Sequence, residues 1–226
     1  MEYRYEIKYL RCADLGSITL LESIKRHPAV FTEIYSPRRV NNIYFDTLNF
    51  DAVEENVSGY ANRRKVRVRW YGDRFGQNYF TLELKNKAGL VGSKDRYSLG
   101  TMELASGNSL SKVFSECFSK LPLATAEIMA GVKPSLMNSY SRSYFQSRCG
   151  RFRATIDTDI TYFAVAQGLL SSKPSAVLEK TQVMEIKFSV ADHRVIDSLV
   201  RHFPFRVTKS SKYVNGIDLL SRQGLC

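Results

Sequence analysis

The 226-residue chain is 44% hydrophobic and 24% charged, which is ordinary for a globular protein, but its formal net charge of +11 is not. That balance points to an anionic partner: nucleic acid, an acidic membrane surface or phosphate-rich small molecules. No stretch reaches the roughly 20 apolar residues of a membrane-crossing helix, and Cys12, Cys117, Cys149 and Cys226 have neither the spacing nor the nearby histidines of a zinc site.

Residues 2–10 alternate as a strand. Asp14 is placed to cap a helix over 15–26 with Leu15, Ile18, Leu21 and Ile24 on one face, and Pro28 follows its end. A strand is expected over 40–45. A turn capped by Asp46 or Thr47 leads into a short helix over 48–57, ended by Ser58-Gly59. Residues 61–71 and 78–85 read as two strands of a hairpin, with Gly72-Asp73 and Gly76 marking its turn, and 94–99 as a further strand. Asn108 or Ser109 starts a helix carrying Leu110, Val113, Phe114, Cys117 and Phe118, and Pro122 opens a second that ends at Gly131. Strands are expected over 134–146, 151–160 and 177–190, with an exposed loop over 168–176. Asp192 would cap a helix with Val195, Ile196, Leu199 and Val200 inward; a short strand over 205–208 and a helix over 214–222 complete the chain. There is no repeat, low-complexity segment or linker, so the reading is one α+β domain, 1–226, of about eight strands mostly joined by hairpins. The scattered cysteines read as reduced, and the charged, strand-like N-terminus is no targeting segment, so a cytoplasmic protein is expected.

Five strand segments place charges at every second residue: Glu6-x-Lys8, Lys65-x-Arg67-x-Arg69, Glu83-x-Lys85, Arg151-x-Arg153 and Glu185-x-Lys187. Residues i and i+2 of a strand share a face, so each segment has one charged face and one apolar face. Such a face is ordinary where it meets water. The excess of Lys and Arg suggests instead several strands closing into a cationic lumen for a polyanion that travels with a metal ion. Lys65-x-Arg67-x-Arg69, beside Trp70 and Tyr71, also suits a solvated face or an RNA patch with base stacking. The histidines, His27, His193 and His202, fall in or beside helices and read as packing or surface residues. No Ser-His-Asp or Cys-His constellation is present.

The segments Tyr5-Glu6-Ile7-Lys8-Tyr9, Ile43-Tyr44-Phe45-Asp46-Thr47, Lys65-Val66-Arg67-Val68-Arg69-Trp70-Tyr71-Gly72, Leu82-Glu83-Leu84-Lys85, Ser141-Arg142-Ser143-Tyr144-Phe145, Ile156-Asp157-Thr158, Met184-Glu185-Ile186-Lys187 and Lys209-Ser210-Ser211-Lys212-Tyr213 run in this order through nearly the whole chain. Together they resemble the polyphosphate polymerase domain of the vacuolar transporter chaperone (VTC) family, among the triphosphate tunnel metalloenzymes. The resemblance implies a closed eight-stranded antiparallel β-barrel, the triphosphate tunnel, with helices packed around it. It also implies transfer of the γ-phosphate of ATP to a growing inorganic polyphosphate chain, dependent on Mn²⁺ or Mg²⁺. Residue by residue, Lys8, Arg67, Arg69, Lys85, Arg142, Arg153, Lys209 and Lys212 would be the catalytic cations, Lys65, Lys94 and Ser211 would help bind substrate, and Glu185 would hold the metal. Glu6 and Glu83 would orient neighbouring cations.

Tunnel triphosphatases open with Glu-x-Glu-x-Lys, and Arg4 here stands at the first Glu, which favours a polymerase over a tripolyphosphate or nucleoside triphosphate hydrolase. A non-catalytic polyphosphate-binding module is the remaining alternative. The eukaryotic members carry an N-terminal regulatory domain and transmembrane helices; neither stands in these residues, so the resemblance is to the free-standing bacterial form. The expected partners are ATP and polyphosphate, with no specific nucleic acid, and membrane association only through a partner protein.

Overall fold

Long antiparallel strands, several with one charged and one apolar face, dominate the regular structure, and short helices cover apolar faces. The structure, a computed structural model, describes residues 4–12, 19–89, 91–166, 168–170, 178–179 and 181–225, without the side chains of Arg4, Cys12, Leu178 and Glu179. Its strands are β1 (Arg4–Cys12), β2 (Phe31–Asp46), β3 (Asn62–Tyr71), β4 (Gly76–Ala88), β5 (Val91–Leu104), β6 (Lys133–Ser147), β7 (Arg153–Ala166), β8 (Leu169–Leu170), β9 (Leu178–Glu179) and β10 (Thr181–Ser189). Its helices are α1 (Leu20–Lys25), α2 (Asp51–Val57), α3 (Leu110–Ser119), α4 (Leu123–Ala130), α5 (Ile196–Val200) and α6 (Lys212–Ser221).

The expected closed eight-stranded barrel is corrected by the strand pairing. Nine strands follow one another from β10 to β8, a tenth, β9, pairs with β7 off that path, and β10 pairs additionally with β7, so the sheet has ten strands rather than eight. Alternation fixes which face a side chain takes, whereas closure depends on strand tilt and stagger, which alternation does not encode.

The chain sorts into two compact units, and β2, β6 and β7 each contribute one part to either. Unit 1 comprises residues 1–38, 140–160 and 179–210. In it β10 pairs with β1, Lys8 opposite Glu185, and with β7, Glu185 opposite Thr155. Ile7, Tyr9, Ile156, Met184 and Ile186 point to the other face, where they pack with Leu20, Ile24, Ile196 and Leu199 of α1 and α5. Thr19, rather than Asp14, caps α1, in a reciprocal capping box with Glu22; Asp14, Leu15 and Ile18 lie outside the described residues, as does Cys226. A 3-10 turn over Val190–Val195 precedes α5, so Val195, expected inward, is exposed. His27 is a packing residue: its ring stacks on Phe203 and its Nδ1 accepts the Ala29 N–H.

Unit 2 comprises residues 39–139, 161–178 and 211–226. Here β2, β3, β4 and β5 pair as an antiparallel meander. Val66, Val68, Trp70, Leu82 and Leu84 form the apolar face under Leu110 and Phe114 of α3 and Met129 of α4. Gly72 turns the β3–β4 hairpin at φ +94°, a conformation costly for any residue with a Cβ. Thr47 Oγ1 and Asp46 Oδ1 accept the N–H groups of Asp51 and Ala52 at the start of α2, as the sequence suggested. Residues 171–176 of the expected loop, and residue 177 of the expected strand after it, lie outside the described residues.

Candidate functional site

In unit 2 the register of the meander aligns the charged faces of three strands. Lys65 lies opposite Lys85 and Lys85 opposite Lys94, while Arg67 lies opposite Glu83 and Glu83 opposite Arg96. Lys65, Arg67, Arg69, Lys85, Lys94 and Arg96 thus share one face around a single carboxylate, Glu83. Arg67 donates to Glu83 through Nε at 2.9 Å and Nη2 at 2.7 Å. Lys94 approaches the same carboxylate at 2.9 Å, Arg96 at 3.3 Å and Arg69 at 3.6 Å. Glu83 is only 3% exposed. Burial alone would raise its carboxyl, but the charges of Arg67, Arg69 and Lys94 outweigh burial and hold it well below the usual carboxylate range. Lys94 responds in the opposite sense: burial, reinforced by the repulsion of Arg67 and Arg69, pushes its ammonium down to about 7 against the pull of Glu83.

Further side chains fix the cations from the flanks. Asn42 accepts from Arg69 Nε at 2.8 Å and donates to Asn138 at 2.8 Å, a buried chain from β3 to β2 to β6. Lys65 Nζ donates to Ser211 Oγ at 2.7 Å, and the Ser211 oxygen also accepts the Val214 N–H, so this serine caps α6. Lys212 opens that helix, and Tyr213 stacks on Tyr44 and donates to Asp46 at 2.7 Å. The unit therefore gathers Lys65, Arg67, Arg69, Lys85 and Lys94 on the meander and joins Ser211 to Lys65.

In unit 1, Lys8 Nζ lies 3.2 Å from Glu185 and donates to the Ser210 carbonyl at 2.8 Å. Lys187 lies 3.5 Å from Glu185 and 3.9 Å from Glu6, and Arg142 lies 4.0 Å from Glu185. The partner that positions Arg142 is Asp157, fully buried, which accepts from Nε at 2.5 Å and Nη2 at 2.7 Å. The guanidinium is held charged, well above its ordinary value: burial opposes this, but the Asp157 carboxylate outweighs it. Arg153 lies opposite Lys187 on the same face, yet it is exposed and makes no ion pair among the described residues; Lys209 is likewise exposed without one.

No group of three or more His, Cys, Asp or Glu able to hold a metal occurs among the described residues. A hard divalent ion can also bind through one carboxylate and the phosphates of a substrate, and Glu185 is compatible with that mode. It is 7% exposed, and its contacts at 3.2 and 3.5 Å are to flexible lysines that can turn toward a phosphate.

A family model for the VTC domain matches residues 3–221. The chain belongs to the VTC domain family. No curated protein matches it in sequence. Among solved structures it is similar to a candidate adenylate cyclase from Vibrio parahaemolyticus, at 12% identity and a TM-score of 0.51, over 95% of this chain and 98% of that one. It is also similar to a candidate adenylyl cyclase from Hippeastrum described as having a dominant triphosphatase activity, at 12% identity and a TM-score of 0.50, over 100% of this chain and 97% of that one. At 12% identity these likenesses are of fold. No helix among the described residues is long and apolar enough to cross a membrane.

Sequence reasoning missed four contributors to this VTC domain's charged faces. Asp157 stood in a quoted motif without a role, although it shares strand parity with Thr155 and Arg153. Asn42 shares parity with Tyr44 on β2, and Asn138 lies across from it. Arg96, two residues after Lys94, carried the same alternation signal.

Proposed function

We propose that the protein is a polyphosphate polymerase and that residues 1–226 act as one functional domain. The γ-phosphate of ATP moves to the terminal oxygen of a polyphosphate chain: the β–γ bridging P–O bond breaks, a new P–O bond forms to the chain, and ADP leaves. The observation that carries the reading is the face of β3, β4 and β5, where six cations share a face and four of them approach one carboxylate whose low proton affinity keeps it ionised. Membership of the VTC domain family points to a phosphate chain as the anion this face receives.

Phosphoryl transfer asks little covalent chemistry of a protein; it asks for in-line positioning and neutralised charge. Arg67, Arg69, Lys85 and Lys94 would bind the triphosphate, with Lys65, Ser211 and Lys212 beside them. Arg guanidiniums suit this because their planar forks engage two oxygens at once. Glu83 holds these side chains extended before substrate arrives, so little is lost in ordering them. Lys8, Arg142, Arg153 and Lys209 would supply further phosphate contacts, with Arg142 aimed by Asp157. Glu185 would hold Mg²⁺ or Mn²⁺, which when bound neutralises charge on phosphate oxygens. The acceptor is already an oxyanion, so no general base is needed, and His27 serves packing.

A hydrolase reading has one supporting observation, the triphosphatase activity attributed to the Hippeastrum protein of similar fold. Arg4, where hydrolases of this superfamily carry a carboxylate, counts against it. Incubating purified protein with ATP and Mn²⁺ and resolving the products on a gel separates the readings. Long-chain polyphosphate with ADP supports the polymerase, free phosphate alone supports the hydrolase, and binding without turnover overturns both.

A further inference from the structure

A second pair of arginines in unit 2 lies away from the cation face. Along β2, Asn42 and Tyr44 meet Arg69 and Arg67, while Ile43 and Phe45 belong to the apolar core. Arg39 has the parity of Ile43 and Phe45, so it lies on the face opposite to those cations. Its carbonyl accepts the Gly72 N–H at 3.1 Å, which ties the β3–β4 hairpin to β2, and that hairpin carries Arg74. Arg39 Nη1 donates to Ser139 Oγ at 3.3 Å, again on the opposite strand parity from Asn138. The Arg74 guanidinium stands 4.2 Å over the ring of buried Phe163, and its Nε is buried with no hydrogen-bond partner.

Neither arginine forms an ion pair with a carboxylate among the described residues. Asp73 is next in sequence but exposed, and its contribution to the packing is through its carbonyl, which accepts from the Trp70 indole. Burial first, and then the charge of Arg39, lower the proton affinity of Arg74, so the two cations repel in a partly dry place. An unsatisfied buried donor and an unneutralised like-charge pair are both costly, and one oxyanion between them removes both costs. A guanidinium stacked on an aromatic ring keeps its edge free to donate to such an anion.

The geometry points to a second phosphoryl-anion site, formed by Arg39, Arg74 and Ser139 on the face of unit 2 opposite the meander cations. Its ligand is a small phosphate anion, either a free phosphate chain or the diphosphate of a nucleotide. The site goes beyond the polymerase reading and does not depend on it.

The test uses the Arg67→Ala protein, so that the first face is weakened, and titrates it calorimetrically with pyrophosphate and, separately, with ADP. Adding Arg39→Gln, an exposed change that leaves the fold intact, is expected to weaken the remaining binding at least about tenfold, the loss of one charge-assisted contact. Adding Arg74→Lys instead is expected to keep part of it. Without ligand, Arg39→Gln is expected to raise Tm by relieving the repulsion, and to abolish the rise in Tm that pyrophosphate gives the parent. Retention of either ligand by the parent and its loss in the Arg39→Gln variant sustains the site. Absence of binding by both ligands in the parent, or equal binding in both proteins, overturns it.

Discussion

Glu83→Gln isolates what one buried carboxylate does for the cation face. The substitution keeps volume and removes a charge that Arg67, Lys94, Arg96 and Arg69 approach within 2.7 to 3.6 Å. Breaking a buried ion pair by deleting one partner costs about 3–5 kcal/mol, since the remaining charges stay desolvated. For a chain of this size each kcal/mol moves Tm by roughly 2–4 °C, so a fall of roughly 6–20 °C is expected at pH 7. Tripolyphosphate offers the abandoned cations a replacement anion, and saturation at 100 times Kd contributes about 2.7 kcal/mol. The ligand should therefore raise Tm more in the variant than in the wild type, where Glu83 competes for the same donors. The pH dependence has a definite sign. A carboxyl whose folded proton affinity is lowered stabilises above its ordinary range, near pH 4.3, and loses that contribution as pH falls toward its folded value. The variant should consequently lack this acid-sensitive part of the wild-type stability curve. Scanning calorimetry from pH 3 to pH 8, with and without tripolyphosphate, reads all of this. A variant Tm within about 2 °C of wild type at pH 7 would refute the reasoning, because it would mean the cations have no need of Glu83.

Lys94 at about 7 is depressed from its unfolded value, so charging it costs stability, fully below that pH and not at all above roughly pH 10.4. A bound polyanion removes the cost, so the wild type should take up a proton at Lys94 on binding tripolyphosphate at pH 8; calorimetry in two buffers of different ionisation enthalpy should show less uptake in Lys94→Arg, and equal uptake would count against it. Gly216→Ala places a Cβ 2.6 Å from both Leu136 and Tyr162 at the packed side of α6. Overpacking of about 1–3 kcal/mol should exceed the gain of about 1 kcal/mol in helix propensity, lowering the urea midpoint; an unchanged midpoint would show that the side chains yield freely. Glu185→Gln should keep the fold and lose most metal-dependent turnover, and an unaltered Mn²⁺ titration would place the ligand elsewhere.

Much of this was legible because a strand's period is two. Val66, Val68, Leu82 and Leu84 against Lys65, Arg67, Glu83 and Lys85 gave both the core face and the charged face of the meander, and the Gly72 turn gave its hairpin. Closure was not legible, since the same alternation serves an open sheet and a barrel alike. Nor was the start of β2 at Phe31: Tyr35, Ser36, Pro37 and Arg38 are exposed, and nothing apolar alternates there. Asp157 escaped because a lone acid between Ile156 and Thr158 acquires meaning only when Arg142, fifteen residues earlier, packs against it. Arg153 and Lys209 show the converse: their residue types suit phosphate, but exposure gives them no fixed geometry of their own.

The central claim is that the face around Arg67 recognises a phosphate chain. The most direct measurement is a calorimetric titration of wild type, Arg67→Ala and Arg67→Lys with tripolyphosphate, beside a competition with single-stranded RNA. Losing a charge-assisted contact worth roughly 1.5–3 kcal/mol should weaken tripolyphosphate binding at least about tenfold in Arg67→Ala, with Arg67→Lys restoring part, while RNA binds weakly and fades steeply with salt. Tripolyphosphate binding that survives Arg67→Ala while RNA binding is lost would contradict the account and make this face a nucleic-acid surface.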